Sequence, residues 1–159
     1  MLYMEDKTNV MRMLDQKKIP YKSHYYGHTG AVSGADVADV LGEDPDAVFK
    51  TLVTAGKSRS YYVFVIPVTR ELDLKKAAKA VGEKSVEMIK SKELLPLTGY
   101  IHGGCSPIGM KKFFRTTVDI SAANCETICV SAGKIGYQIE ISPEDLKKVI
   151  KYEMKDLTV

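Results

Sequence analysis

A chain of 159 residues and 17.6 kDa carries enough material for one domain with its own core and too little for two. With 45% hydrophobic and 27% charged residues it is not a disordered chain, and no apolar run reaches membrane-spanning length. The net charge of +3 admits an acidic partner such as RNA, but there is no basic tract to demand one.

The first ten residues show neither a charged leader nor a small-residue cleavage site, so a cytoplasmic protein is expected. From Asp6 or Thr8 to Lys17, the apolar Val10, Met13 and Leu14 recur at helical spacing, and Ile19-Pro20 closes the helix. Residues 21–26 read as a short strand broken by Gly27-His28-Thr29-Gly30. Ser33 is placed to cap a helix through Val37, Ala38, Val40 and Leu41, with Gly42 as its stop. Asp44-Pro45-Asp46 makes a turn. Residues 48–53 then form an apolar strand interrupted by Lys50, a cation that either snorkels from an edge or points into a cavity that wants positive charge.

A hairpin turn over 56–60 leads into residues 61–67, the most continuous strand signal in the chain. Asp73 caps a helix from Leu74 to Val81 with Lys75, Lys76 and Lys79 on its solvated face and Gly82 beyond. Val86-Glu87-Met88 is a short strand, residues 91–95 a short helix ended by Pro96, and residues 115–120 an alternating strand. Residues 126–131 and 135–141 form a hairpin about a turn at Ala132-Gly133-Lys134. Ser142-Pro143-Glu144-Asp145 opens a last helix with Leu146, Val149 and Ile150 on its apolar stripe. Short hairpins alternating with helices predict an α+β fold, a mixed sheet forming a partly closed barrel with helices around it, in a single domain spanning residues 1–159.

The three cysteines, Cys105, Cys125 and Cys129, are odd in number. The close pair has C-x3-C spacing with no matching histidine pair, which argues against a disulfide framework and a zinc site and for a reducing compartment. Cys125 and Cys129 read as buried structural thiols, and His24 and His28 as turn and strand residues; no metal or cofactor is expected.

Residues 99–112, GYIHGGCSPIGMKK, have neither helical nor strand period. Four glycines, Pro107 and Ser106 describe a shaped loop whose amides and hydroxyl, flanked by Lys111 and Lys112, suit an anionic or carbonyl-bearing ligand. A structural connection is the plain alternative. The nucleophile elbow G-x-S-x-G fails at Ile108. The P-loop fails because Met110 and Lys111 follow Gly109 where lysine and serine or threonine are required.

Residues 48–53, 74–79, 99–112 and 126–146, in this order and spacing, resemble the YbaK/EbsC family of free-standing aminoacyl-tRNA editing domains, and among them the YbaK-type Cys-tRNA(Pro) deacylases. The resemblance implies a fold also used as the editing insertion of some bacterial prolyl-tRNA synthetases, and removal of wrongly attached cysteine from tRNA. It places the family lysine on Lys50, facing the phosphate and ribose of the acceptor end, and the pocket tyrosine on Tyr26. Gly103 and Gly104 join Lys50 in the catalytic set, with Cys105, Ser106, Pro107 and Gly109 completing the loop that holds the substrate. Ser33 and Gln138 fall at selectivity positions where relatives carry a bulky apolar residue and an aspartate. Cys105 and Ile135 replace an aliphatic and a basic residue. The implied chemistry uses no protein nucleophile: the substrate thiol attacks its own ester while the pocket positions it. The implied partners are the acceptor end of aminoacyl-tRNA and prolyl-tRNA synthetase. Two alternatives stand beside this one: an editor of another small residue such as alanine by water attack, and a non-catalytic module that binds tRNA or a synthetase.

Overall fold

The computed structural model describes residues 7–159. Helix α1 (Asn9–Gln16) is capped by Thr8, whose Oγ1 accepts the Met11 N–H at 3.3 Å, and it buries Val10, Met11 and Leu14. The alternative start at Asp6 lies outside the described residues. Strand β1 (Lys22–Tyr25) stops short of Tyr26, which opens a 3₁₀ turn over Gly27–Thr29. In α2 (Gly34–Leu41) the Ser33 hydroxyl accepts the Asp36 N–H at 3.2 Å and Gly42 takes the left-handed conformation, as the sequence predicts.

Strands β2 (Phe49–Gly56) and β3 (Tyr61–Pro67) form an antiparallel hairpin. Helix α3 (Leu74–Val81) and β4 (Val86–Met88) keep their predicted bounds. Helix α4 (Ser91–Thr98) does not end at Pro96 as expected but runs through it. Proline loses the bond its own N–H would make and crowds the carbonyl four residues back, so the neighbouring bonds must carry the turn. Gly99 N–H to the Leu95 carbonyl at 2.9 Å and Thr98 Oγ1 to the Leu94 carbonyl at 2.7 Å hold the final turn. Strand β5 is Arg115–Asp119.

Strands β6 (Ile128–Lys134) and β7 (Tyr137–Ile141) pair as predicted, but their turn lies further along. Ala132 and Gly133, expected as the turn, form an irregularity inside β6 where Ser131 Oγ accepts the Gly133 N–H at 3.1 Å. The chain reverses at Ile135-Gly136. Helix α5 (Pro143–Leu146) is a single turn, after which looser turns bury Ile150. Strand β8 (Tyr152–Lys155) has no counterpart in the sequence reading; four residues offer too little alternation to separate a strand from a fraying helix.

These strands make two sheets, β1-β7-β6 and β4-β2-β3-β5-β8, the second mixed because β3-β5 and β5-β8 run parallel. The α+β class is as predicted, but the partly closed barrel is not: neither sheet closes on itself, and among the described residues one parallel bridge, Val48 to Cys129, joins them. A shared core lies between them. Val53, Val63 and Val65 of one sheet meet Ile128, Val130 and Ile139 of the other, with α1 against both. On the opposite side of the three-stranded sheet, α2 packs Ala38 on Val48 and Cys129. The two sheets diverge around this junction and leave a cavity.

Candidate active site

The cavity has a volume of about 540 Å³, within the usual range for small-molecule sites. Its walls come from the α2 start, the first half of β2, the β6 and β7 strands and the glycine loop. Six of the sequence-predicted site residues line it: Tyr26, Ser33, Lys50, Gly103, Cys105 and Gln138. They arrive from five separate stretches of chain, and each is held by its own local device.

Lys50 enters from β2, beside the buried Phe49 and opposite Ile66 on β3. It is half-buried and has no ion-pair partner among the described residues. A cation kept in an apolar strand without a counter-ion supplies unspent positive potential to the cavity. Tyr26 is buried, with its N–H donating to the Gly136 carbonyl at 2.8 Å, and burial holds its phenol above the usual tyrosine range. Ser33 contributes a wall, but its hydroxyl is engaged as the α2 cap.

Gln138 is 3% exposed. Its Nε2 donates to Glu43 Oε1 at 3.1 Å, and a carboxylate can only accept, so the amide orientation is fixed. Gln138 Oε1 is therefore an acceptor, and it is buried without a partner. Thr51 Oγ1, in the same cavity wall, is likewise buried and unpaired. An unmade bond on a buried polar group costs about 1–3 kcal/mol. Two of them in the walls of one cavity next to an unpaired lysine describe a surface awaiting a polar ligand.

The glycine loop divides in two. Gly103, at φ 89°, brings the backbone against Val32 and Ile135, where a Cβ would come within 2.8 Å of Val32. Among the described residues the amides of Gly103 and Cys105 donate to no protein group, which leaves them for a ligand. Gly104 does not line the cavity: its N–H donates to the Ile101 carbonyl at 2.9 Å, and its lack of a side chain allows close approach to the backbone at Lys134 and Ile135. Ser106, Pro107 and Gly109 also lie away from it. Ser106 is fully buried with Oγ accepting the Ile108 N–H at 3.2 Å, Pro107 is buried, and Gly109 packs against Tyr100 and Met13. This half moors the loop to α1 and the core.

Cys105 faces the cavity, but burial pushes its thiol up to about 12, so it is a neutral, unreactive wall at neutral pH. His102 reaches the cavity and is exposed. Among the described residues no hydrogen bond joins a cysteine or serine to a histidine, so the cavity holds no activated nucleophile. The sequence reading missed Glu43, which fixes Gln138 from a position 95 residues away, and Thr51, hidden in a strand that reads as scaffold.

Residues 28–149 match the aminoacyl-tRNA editing domain family. EbsC of Enterococcus faecalis (strain ATCC 700802 / V583), provisionally described as a Cys-tRNA(Pro)/Cys-tRNA(Cys) deacylase, is 47% identical over 155 residues, covering 97% of this chain and 94% of EbsC. A proline–tRNA ligase of Shouchella clausii (strain KSM-K16) is 28% identical over 123 residues, 77% of this chain but 21% of the ligase. A solved structure described as a proposed trans-editing enzyme for prolyl tRNA synthetase superposes with a TM-score of 0.82 at 19% identity, covering 97% of this chain and 99% of that one. A hypothetical protein of known structure gives 0.86 at 21% identity over 94% of this chain and 99% of its own. At these identities the structures speak to the fold alone.

Proposed function

This chain belongs to the aminoacyl-tRNA editing domain family, and we propose that it is a trans-acting deacylase that removes cysteine wrongly esterified to tRNA(Pro), with Cys-tRNA(Cys) as a second substrate. The observation that carries the reading is the cavity itself: an unpaired Lys50 and free loop amides around a space with no activated protein nucleophile. Such a site suits a substrate that brings its own nucleophile. The 47% identity to EbsC supports the cysteinyl substrate, and the alignment to part of a proline–tRNA ligase supports work alongside prolyl-tRNA synthetase. Helix α1 lies ahead of the matched residues 28–149 yet shares their core, which supports reading residues 1–159 as one editing domain.

In this mechanism Lys50 holds the terminal phosphate and ribose of the acceptor end. The Gly103 and Cys105 amides donate to the ester carbonyl oxygen and stabilise the negative charge that grows on it. Gln138 Oε1, fixed by Glu43, takes a hydrogen bond from the substrate ammonium, and Tyr26 and the Cys105 side chain close the walls around the cysteinyl group. The substrate sulfur gives up its proton, forms a bond to its own carbonyl carbon and expels the ribose oxygen, which takes a proton; the products are free tRNA and a cysteine thiolactone that water opens. Holding the thiol in reach of the carbonyl supplies the main advantage over solution.

The test is turnover and binding together. Lys50→Ala is expected to lose deacylation of Cys-tRNA(Pro) while the folded protein still binds uncharged tRNA measurably. Unchanged turnover in that variant would remove Lys50 from the site and the proposal with it. Wild-type protein that binds tRNA and releases no amino acid would instead identify a binding module.

A further inference from the structure

Period-two alternation gives the three-stranded sheet a second face, away from the shared core. Cys129 stands directly opposite Glu140 across β6 and β7, and His24 of β1 lies diagonally from Glu140 on the same face. Glu43, just after α2, reaches the group from above. His24 Nε2 is 2.9 Å from Glu140 Oε1 and 3.8 Å from Glu43 Oε2, and Cys129 Sγ is 3.6 Å from Glu43 Oε2. The donor atoms of His24, Cys129 and Glu140 all fall within 4.8 Å of one another.

Zinc bonds of about 2.0–2.3 Å in a tetrahedron place neighbouring donors about 3.3–3.7 Å apart; the spacings of 2.9, 3.6 and 3.8 Å straddle that range, and the other pairs among His24, Cys129 and Glu140 lie within 4.8 Å. The cluster also has an outer layer. Thr127 Oγ1 donates to Glu140 Oε2 at 2.6 Å and Gln138 Nε2 to Glu43 Oε1 at 3.1 Å, so each carboxylate is pinned by one oxygen and turns the other toward the imidazole. Pinning of this kind is what orients ligands in metal centres. Two carboxylates flank one histidine, and Lys22, directly opposite Glu140 on β1, adds a cation at the edge of the group. Burial, with Glu43 and Glu140 beside it, raises the Cys129 thiol, which keeps its proton until something stronger takes the sulfur.

We propose that His24 Nε2, Cys129 Sγ, Glu140 Oε1 and Glu43 Oε2 form a binding site for a divalent transition metal of the zinc class. The mixed nitrogen, sulfur and oxygen donor set suits that class and not calcium or magnesium, which take oxygen ligands. On binding, the Cys129 S–H bond breaks, its proton leaves to solvent, and the thiolate coordinates without any change of oxidation state. The metal fastens Glu43, and through it the Gln138 amide in the cavity wall, so the site braces the pocket from behind. Sequence spacing argues against zinc only because the ligands come from four distant segments. The inference stands independently of the editing reading.

The full chain, stripped with a chelator and exchanged into a non-coordinating buffer, is titrated with Zn²⁺ by calorimetry and with Co²⁺ by absorption spectroscopy. One equivalent is expected to bind, with proton release on Zn²⁺ uptake and a thiolate-to-cobalt charge-transfer band beside intense tetrahedral d–d bands. Cys129→Ser should abolish the charge-transfer band and weaken binding at least tenfold. Thr127→Val, which leaves every ligand in place, should weaken it about 10–100-fold. Cys125→Ser and His28→Ala should bind as wild type. Absence of saturable binding, a cobalt spectrum without thiolate character, or affinity indifferent to Thr127→Val and Cys129→Ser would each overturn the site.

Discussion

The two faces of strand β7 are built on opposite rules. Ile139 and Ile141 point into the shared core, each at most 1% exposed among other aliphatic side chains, and hydrophobic burial accounts for them entirely. Gln138 and Glu140, their chain neighbours, point the other way, Gln138 buried in the cavity wall and Glu140 partly exposed beside His24. They are held by specific bonds to Glu43, Thr127 and His24, and one acceptor is left unmatched. A face that keeps an unsatisfied buried atom does so at a cost in stability that packing does not require. The core face fixes the strand, and the opposite face keeps hydrogen-bonding capacity that the fold itself does not use.

Substitutions on the two faces should separate stability from activity. Ile139→Ala should have the largest effect and fall wholly on stability, lowering the unfolding free energy by about 2–5 kcal/mol in urea titrations. A loss of activity in the still-folded protein would blur the distinction. Lys50→Ala should show the reverse pattern, with kcat/KM for Cys-tRNA(Pro) falling about 10²–10³-fold and the thermal midpoint almost unchanged. Gln138→Leu lies between, since it strands Glu43 and removes the cavity acceptor. Unfolding should become easier by about 1–3 kcal/mol, and KM for the charged tRNA should rise.

Cys105→Ala should have the smallest effect, changing kcat less than about threefold, because a neutral thiol serves as a wall. The same state is visible by pH. With the thiol raised to about 12 by burial, the reactive thiolate is scarce at pH 7. Alkylation of Cys105 by iodoacetamide should therefore climb about tenfold per pH unit up to pH 10 without levelling off. A plateau near pH 8.5 would mean an ordinary, exposed thiol and reopen the question of a protein nucleophile.

Much of this was legible in the sequence because it is local. Caps at Ser33, Asp73 and Ser142 announce their helices, and a lysine in an apolar strand stands out without any partner in view. The glycine loop was legible as a loop but not as two halves, since only tertiary packing assigns Ser106 and Gly109 to mooring and Gly103 to the cavity. The Glu43 to Gln138 bond spans 95 positions and the His24 to Glu140 bond 116, distances over which residue types carry no mutual signal. The partly closed barrel gave way to two open sheets for a similar reason: which edge strand stays unpaired depends on β8, a strand too short to announce itself.

In the proposed mechanism the substrate supplies the nucleophile. Release of labelled amino acid from purified Cys-tRNA(Pro) and Ala-tRNA(Pro), side by side with the wild-type protein, tests it most directly, because the two esters differ only in the thiol. Cysteine should be lost rapidly with alanine retained; release of alanine at a comparable rate would assign the attack to water instead.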